Sequence, residues 1–356
     1  MLRPANQVIK ESTPQKIKIE DAIGTTLAHD ITAIIPSKYK GPSFRKGHRI
    51  AGSDLCHLMR LGKRHVYILD LDKDQVHEDD AVMELATALA GPGVIFSASS
   101  KEGKIQLQAA YDGLFKVNIN PLFEFNLIPE VMCASIHSNT PVKKNQVLAG
   151  TRAIPLVIHR KTLDKAIDIA HTYHPIFSVK LFNSCRARLV ITGNEVYDDL
   201  IEDRFEAIVR KKLEAYGATL VEVITLPDDQ DMIAKKIGEY MDTDTDLIIT
   251  TGGMSVDPDD VTRSGIKKAG VDRIYYSAAV LPGTMFQIAY KDDLPIAGIP
   301  ACALYHKNTI FDLVLPRLLA GERPDNHDLA KLAHGGLCLN CSTCRFPACS
   351  FGKTEV

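Results

Sequence analysis

Asp246-Leu-Ile-Ile-Thr-Thr-Gly-Gly-Met-Ser-Val-Asp-Pro-Asp-Asp-Val-Thr262 reads as an apolar strand that stops at two glycines and passes through a carboxylate-rich loop into a new helix. Leu247, Ile248 and Ile249 form the β-branched-rich run expected of a buried parallel strand. Gly252 and Gly253 let the backbone turn sharply and approach a ligand. Asp257, Asp259 and Asp260 stand where the helix begins, with Thr262 and Arg263 just inside it. Unpaired N–H groups converging after a strand make a natural phosphate site, and neighbouring carboxylates point to Mg²⁺ shared with that phosphate. An ordinary β-to-α turn with acidic capping is the alternative reading.

The same grammar repeats on both sides. Arg188-Leu-Val-Ile-Thr192 is a strand that stops at Gly193-Asn194-Glu195. Apolar spacing predicts a helix over 199–216, a strand over 220–226, and a helix over 231–241. A hairpin is expected around Lys291-Asp-Asp293, and a final helix over 301–320. Strand–helix alternation predicts a three-layer α/β domain with a mostly parallel sheet over 185–322. Ligands in such sheets bind at the carboxyl ends of the strands, where both glycine loops lie.

Before that domain, residues 1–75 read as a β-rich region with one helix, and 76–180 as mixed α/β. The chain has 356 residues, enough for two or three domains. It carries 42 basic and 44 acidic residues for a net charge of −2, so no global charge argues for nucleic acid or a membrane surface. The absence of Trp disfavours base-stacking readers. No apolar signal core and no 18-residue apolar run are present, so a cytoplasmic protein is expected.

Of eight cysteines, Cys338, Cys341, Cys344 and Cys349 crowd into a terminal region, 335–356. Their x2, x2, x4 spacing resembles the bacterial ferredoxin run more than paired zinc knuckles, though the last gap is one residue longer than in that run. A 4Fe–4S cluster or Zn²⁺ is therefore expected there, and a disordered tail with incidental thiols is the alternative.

The two glycine loops, together with Pro282-Gly283 and Gly298-Ile-Pro300, resemble the molybdopterin-binding domain of molybdenum-cofactor biosynthesis proteins. Residues 17–69 are similar to the start of the molybdopterin molybdotransferase family. The resemblance implies that Thr192, Gly193, Asn194, Thr250, Thr251, Gly252, Gly253, Ser255, Pro282, Gly283 and Pro300 hold molybdopterin. It makes Glu195 and Asp260 the catalytic residues and the ligands of Mg²⁺ or molybdate. Asp257 departs from the family's usual glycine. Leu281 and Thr284 stand where lysines usually flank Pro-Gly, and Gly298-Ile-Pro-Ala-Cys-Ala303 replaces the usual Gly-Leu-Pro-Gly-Asn-Pro. Lys307, His306 and Arg45 are the candidates to restore the lost charge. The implied function is a Mg²⁺-dependent transferase acting on molybdopterin or its adenylylated form. The alternatives are a cofactor carrier or sensor that docks to a molybdoenzyme, and a Mg²⁺-dependent nucleotide pyrophosphate hydrolase. A homodimer is also expected from the resemblance.

Overall fold

Four parallel strands and an antiparallel hairpin build the sheet that carries the glycine loops. The structure is a computed structural model that describes residues 15–35, 39–68, 71–100, 103–254 and 261–354. The chain divides into two compact units: residues 1–110, 117–136 and 145–178, and residues 111–116, 137–144 and 179–356.

In the second unit the strands are β1 (Arg186–Thr192), β2 (Thr219–Leu226), β3 (Leu247–Thr251), β4 (Arg273–Tyr276), β5 (Gln287–Lys291) and β6 (Leu294–Ile299). The helices are α1 (Asn194–Tyr197), α2 (Phe205–Glu214), α3 (Gln230–Met241), α4 (Thr262–Lys268), α5 (Ile310–Leu319) and α6 (Asn326–Lys331). Sheet order is β2-β1-β3-β6-β5-β4. The β2/β1, β1/β3 and β3/β6 pairs are parallel, and β6/β5 and β5/β4 are antiparallel.

Side-chain alternation sorts the core onto two faces. Leu189, Ile191, Ile249, Ile288 and Ala297 pack with Phe205, Val209 and Leu213 of α2 and with Phe311 and Val314 of α5. Val190, Ile248, Ala289 and Ile296 pack with Ile233, Ile237 and Tyr240 of α3 and with Ile266 of α4. A central strand covered on both faces needs apolar residues at consecutive positions, which is why β1 and β3 read as unbroken runs.

Two predicted helices are shorter than their apolar patterns. The stretch 199–216 becomes helical only at Phe205. The Glu195 carbonyl takes the N–H groups of Leu200 and Ile201, and Asp203 then caps Phe205 and Glu206. The stretch 301–320 splits into a 3₁₀ turn over Ala301–Leu304 and α5, which starts afresh at a capping box formed by Thr309 and Asp312.

The first unit is built from short antiparallel pieces. Lys16–Lys18 pairs with His65–Tyr67, and Ile31–Ile35 with Tyr39–Phe44. A four-stranded sheet follows the order Val94–Phe96, Lys104–Ala109, Val147–Ala153, Val131–Ser135. Its helices include Leu55–Arg60, Glu78–Leu89 and Arg160–Thr172. This unit holds the 1–75 region together with most of 76–178. Among the described residues no helix is long and apolar enough to cross a membrane.

Candidate functional site

The chain leaves β1 for α2 on one face of the sheet and leaves β3 for α4 on the other. Adjacent strands whose following helices lie on opposite faces leave a crevice between their carboxyl ends. Thr192 and Thr251, the last residues of β1 and β3, line it.

The glycines are required by the protein itself. Gly252 has φ +81°, and a Cβ there would stand 2.1 Å from the Thr192 carbonyl oxygen. Gly253 has φ +49°, and its Cβ would meet Thr262 Oγ1 at 2.4 Å. The two loops are therefore locked together. Thr192 Oγ1 donates to the Thr251 carbonyl at 3.0 Å and shares a 2.7 Å hydrogen bond with Thr262 Oγ1. The sequence reading assigned these glycines to close approach by a ligand; the structure adds a close approach of loop to loop at the same positions.

The hydroxyls of Thr250 and Thr251 are fully buried and have no hydrogen-bond partner among the described residues. Gln287 Nε2 and Arg263 Nε share that condition. Thr250, Gly298 and Gln287 occupy one row across β3, β6 and β5. The Arg263 guanidinium lies 3.4 Å from the centroid of the Tyr276 ring. Leaving a buried polar group unpaired costs about 1–3 kcal/mol. Several at one strand edge fit a polar ligand that supplies the missing partners.

The acidic side of the crevice starts at Gly193 and α1. Glu195 is exposed, and its carboxylate oxygens are 3.2–3.3 Å from where a Cβ on Gly193 would stand. The Asn194 N–H donates to Asp228 Oδ2 and the Asp228 N–H donates to Asn194 Oδ1, both at 3.0 Å. Asp229 caps α3 through Asp231 and Met232, so the two neighbouring aspartates divide structural and loop-facing work. Ser255, Asp257, Asp259 and Asp260 lie outside the described residues.

Two more loops open on the same edge, because Gln287 and Gly298 are paired and Gly298 pairs in turn with Thr250. In the first, Pro282 accepts from Ile310 N–H at 3.3 Å, and a Cβ on Gly283 would meet Ile310 Cγ2 at 2.4 Å. Thr284 Oγ1 donates to the Val280 carbonyl at 3.2 Å. In the second, Pro300 precedes the 3₁₀ turn. Of the candidate replacement cations, Lys307 is exposed, His306 Nδ1 is 3.2 Å from Asn340 Oδ1, and Arg45 is an exposed residue of the first unit. Arg263, at the start of α4, is the cation the sequence reading passed over in that role. Asp228 and Gln287 were missed as well. The signal for Asp228 was a Pro-Asp-Asp sequence at a strand end, whereas Gln287 becomes visible only from strand register.

Among the described residues no three His, Cys, Asp or Glu side chains are gathered as a metal group. A larger cavity of about 540 Å³ lies at the opposite, amino ends of β1, β3 and β6, lined by Cys185, Asp246, Leu247, Leu294, Glu322 and Arg323 among others.

A family described as "Probable molybdopterin binding domain" matches residues 188–320. That match takes in both glycine loops and leaves the first unit outside it. Residues 16–70 match a second family, "Domain of unknown function (DUF8806)". A CinA-like protein of Fervidobacterium nodosum is 36% identical over 81 residues, 23% of this chain and 20% of that protein. The molybdopterin molybdenumtransferase of Haemophilus influenzae is 25% identical over 157 residues, 42% of this chain and 38% of that protein. The chain thus spans about a fifth of the length of the first curated relatives it matches. The molybdopterin biosynthesis enzyme MoaB of Thermus thermophilus aligns at TM-score 0.34 and 19% identity, over 39% of this chain and 98% of that one. The matched residues 188–320 coincide with the sheet and glycine loops of the second unit.

Proposed function

We propose that the second unit binds molybdopterin in the crevice between β1 and β3 and acts as a Mg²⁺-dependent transferase of molybdenum-cofactor assembly. The unpartnered Thr250 and Thr251 hydroxyls carry this reading. They are buried donors on opposite faces of one strand end, and Thr250, in the row of Gln287, is the one a phosphate oxygen in the crevice would satisfy. Mg²⁺ keeps several waters and takes one or two carboxylates plus phosphate oxygens, so it needs no preformed cage of three protein ligands. The exposed Glu195 carboxylate fits that sparse donor set, and Asp260 completes it on the sequence reading. The ion would screen phosphate charge and polarise the reacting oxygen. Asn194, fixed by Asp228, would hold the Glu195 loop in place.

A specific observation favours a second reading, a carrier that keeps the pterin pocket without molybdate chemistry. Leu281 and Thr284 supply no cation to the loop beside the crevice, and the backbone of Leu281 is engaged by the C-terminal segment. An oxyanion site without fixed cations is weak.

Anaerobic binding and turnover of the purified full chain separate these readings. The transferase predicts molybdate-dependent product that Asp260→Ala abolishes, with binding and unfolding temperature retained. Tight molybdopterin binding without product supports the carrier. Absence of binding, with and without Mg²⁺, overturns both.

A further inference from the structure

Residues 336–351 form a closed loop within the second unit. Gly352 N–H donates to the Gly335 carbonyl at 2.9 Å, which ties the two ends together. Phe351 is buried in the domain core, and Cys338, Phe346 and Cys349 pack half-buried against it. Lys353 Nζ adds a 2.9 Å hydrogen bond to Thr140 Oγ1. Cys341 and Cys344 are exposed, and Leu337 and Leu339 are 59% and 69% exposed. A surface loop of this kind has too little core to fix its own conformation.

Its contacts are with the two loops that flank the crevice. Leu281 N–H donates to the Gly336 carbonyl, and Cys338 N–H donates to the Leu281 carbonyl, both at 2.8 Å. Asn340 meets His306, and Asn308 Nδ2 donates to Cys344 Sγ at 2.9 Å. An amide N–H directed at sulfur is a partner that a metal-bound thiolate commonly has.

We propose that Cys338, Cys341, Cys344 and Cys349 hold a thiophilic metal centre that staples this loop against the 281–284 and 302–308 loops. Four thiols within residues 338–349 are a complete donor set for tetrahedral Zn²⁺ or an iron–sulfur cluster. Each coordinating thiol gives its proton to solvent as its thiolate bonds the metal. The two half-buried thiols are anchored on the core. The two exposed thiols lie on the arc between them; the four are not gathered in the structure, and a shared metal requires that arc to fold inward. Metal binding itself stands apart from the pterin reading; only its bearing on the crevice rests on that reading.

The test uses the full chain purified anaerobically, with metal analysis, visible absorption and hydrogen exchange. One Zn²⁺ per chain is the zinc outcome. Iron and sulfide in equal amounts, with a sulfur-to-iron charge-transfer band, is the cluster outcome. Either supports the proposal if Cys341→Ser/Cys344→Ser loses the metal while Cys56→Ser keeps it, and if chelation speeds amide exchange over 279–284. Metal far below one site per chain, both as purified and after incubation with Zn²⁺ or with iron and sulfide, overturns it, as does equal metal in the double variant. Native mass spectrometry of added molybdopterin is scored separately, so loss of the pterin reading leaves the metal result standing.

Discussion

The two ends of the sheet in the second unit treat polar groups in opposite ways. At the amino ends, beside the larger cavity, Glu322 is almost fully buried and is held by Lys116 at 2.6 Å, Lys180 at 3.0 Å and Arg317 at 2.8 Å. Arg317 in turn bonds Asp328 at 2.9 Å. At the carboxyl ends, the buried Thr250 and Thr251 hydroxyls and Gln287 Nε2 have no hydrogen-bond partner among the described residues. One end satisfies its charges and stabilises the fold; the other leaves donors unpaired at a cost in stability. Buried groups awaiting a partner are a better guide to a ligand site than the size of a cavity.

This contrast breaks most readily at Gly252. Gly252→Ala forces a Cβ against the Thr192 carbonyl oxygen from a positive φ, and about 3 kcal/mol of stability should be lost. Thermal unfolding of the full chain checks it, and an unchanged midpoint would mean that the two loops are not locked as described.

Glu322 tests the opposite end. Burial raises its pKa, but hydrogen bonds from Lys116 and Arg317 outweigh that and lower it to about 2 from an ordinary 4.5. Its contribution is complete above pH 4.5 and is lost as pH falls toward 2, on the order of 2–3 kcal/mol in all. Glu322→Gln should flatten that part of the acid-unfolding curve and leave molybdopterin affinity unchanged. A fall in affinity would place the ligand at the amino ends instead.

Glu195→Gln sharpens the acidic side of the crevice. Removing one carboxylate from an exposed Mg²⁺ site should reduce the Mg²⁺-dependent part of molybdopterin affinity about tenfold, roughly 1.4 kcal/mol, without moving the unfolding midpoint. Titrations with and without Mg²⁺ measure it.

How much of this was legible in the sequence follows from how local each feature is. β1 and β3 were readable because strands covered on both faces need unbroken apolar runs, and the glycines marked their ends. The late start of α2 was encoded in Asp203, and the restart at α5 in Thr309 and Asp312, but the apolar spacing of 199–216 and 301–320 masked both. The clasp between Leu281 and residues 336–338 joins segments more than fifty positions apart by backbone hydrogen bonds, which leave no mark in side-chain pattern. The unpaired state of Thr250 and Gln287 likewise depends on strand register across three strands. The packing of Gly252 against the Thr192 carbonyl likewise joins two loops far apart in the chain and leaves no mark in local pattern.

The most direct test of the crevice as the ligand site combines stability and affinity in one variant, Thr250→Val. Replacing the unpaired hydroxyl by a methyl group of similar shape removes a buried unsatisfied donor, so the ligand-free protein should gain about 1 kcal/mol. Anaerobic titration with molybdopterin should at the same time show affinity about tenfold weaker than in the unsubstituted chain. Equal affinity in the two proteins would contradict the assignment of molybdopterin to the crevice between β1 and β3.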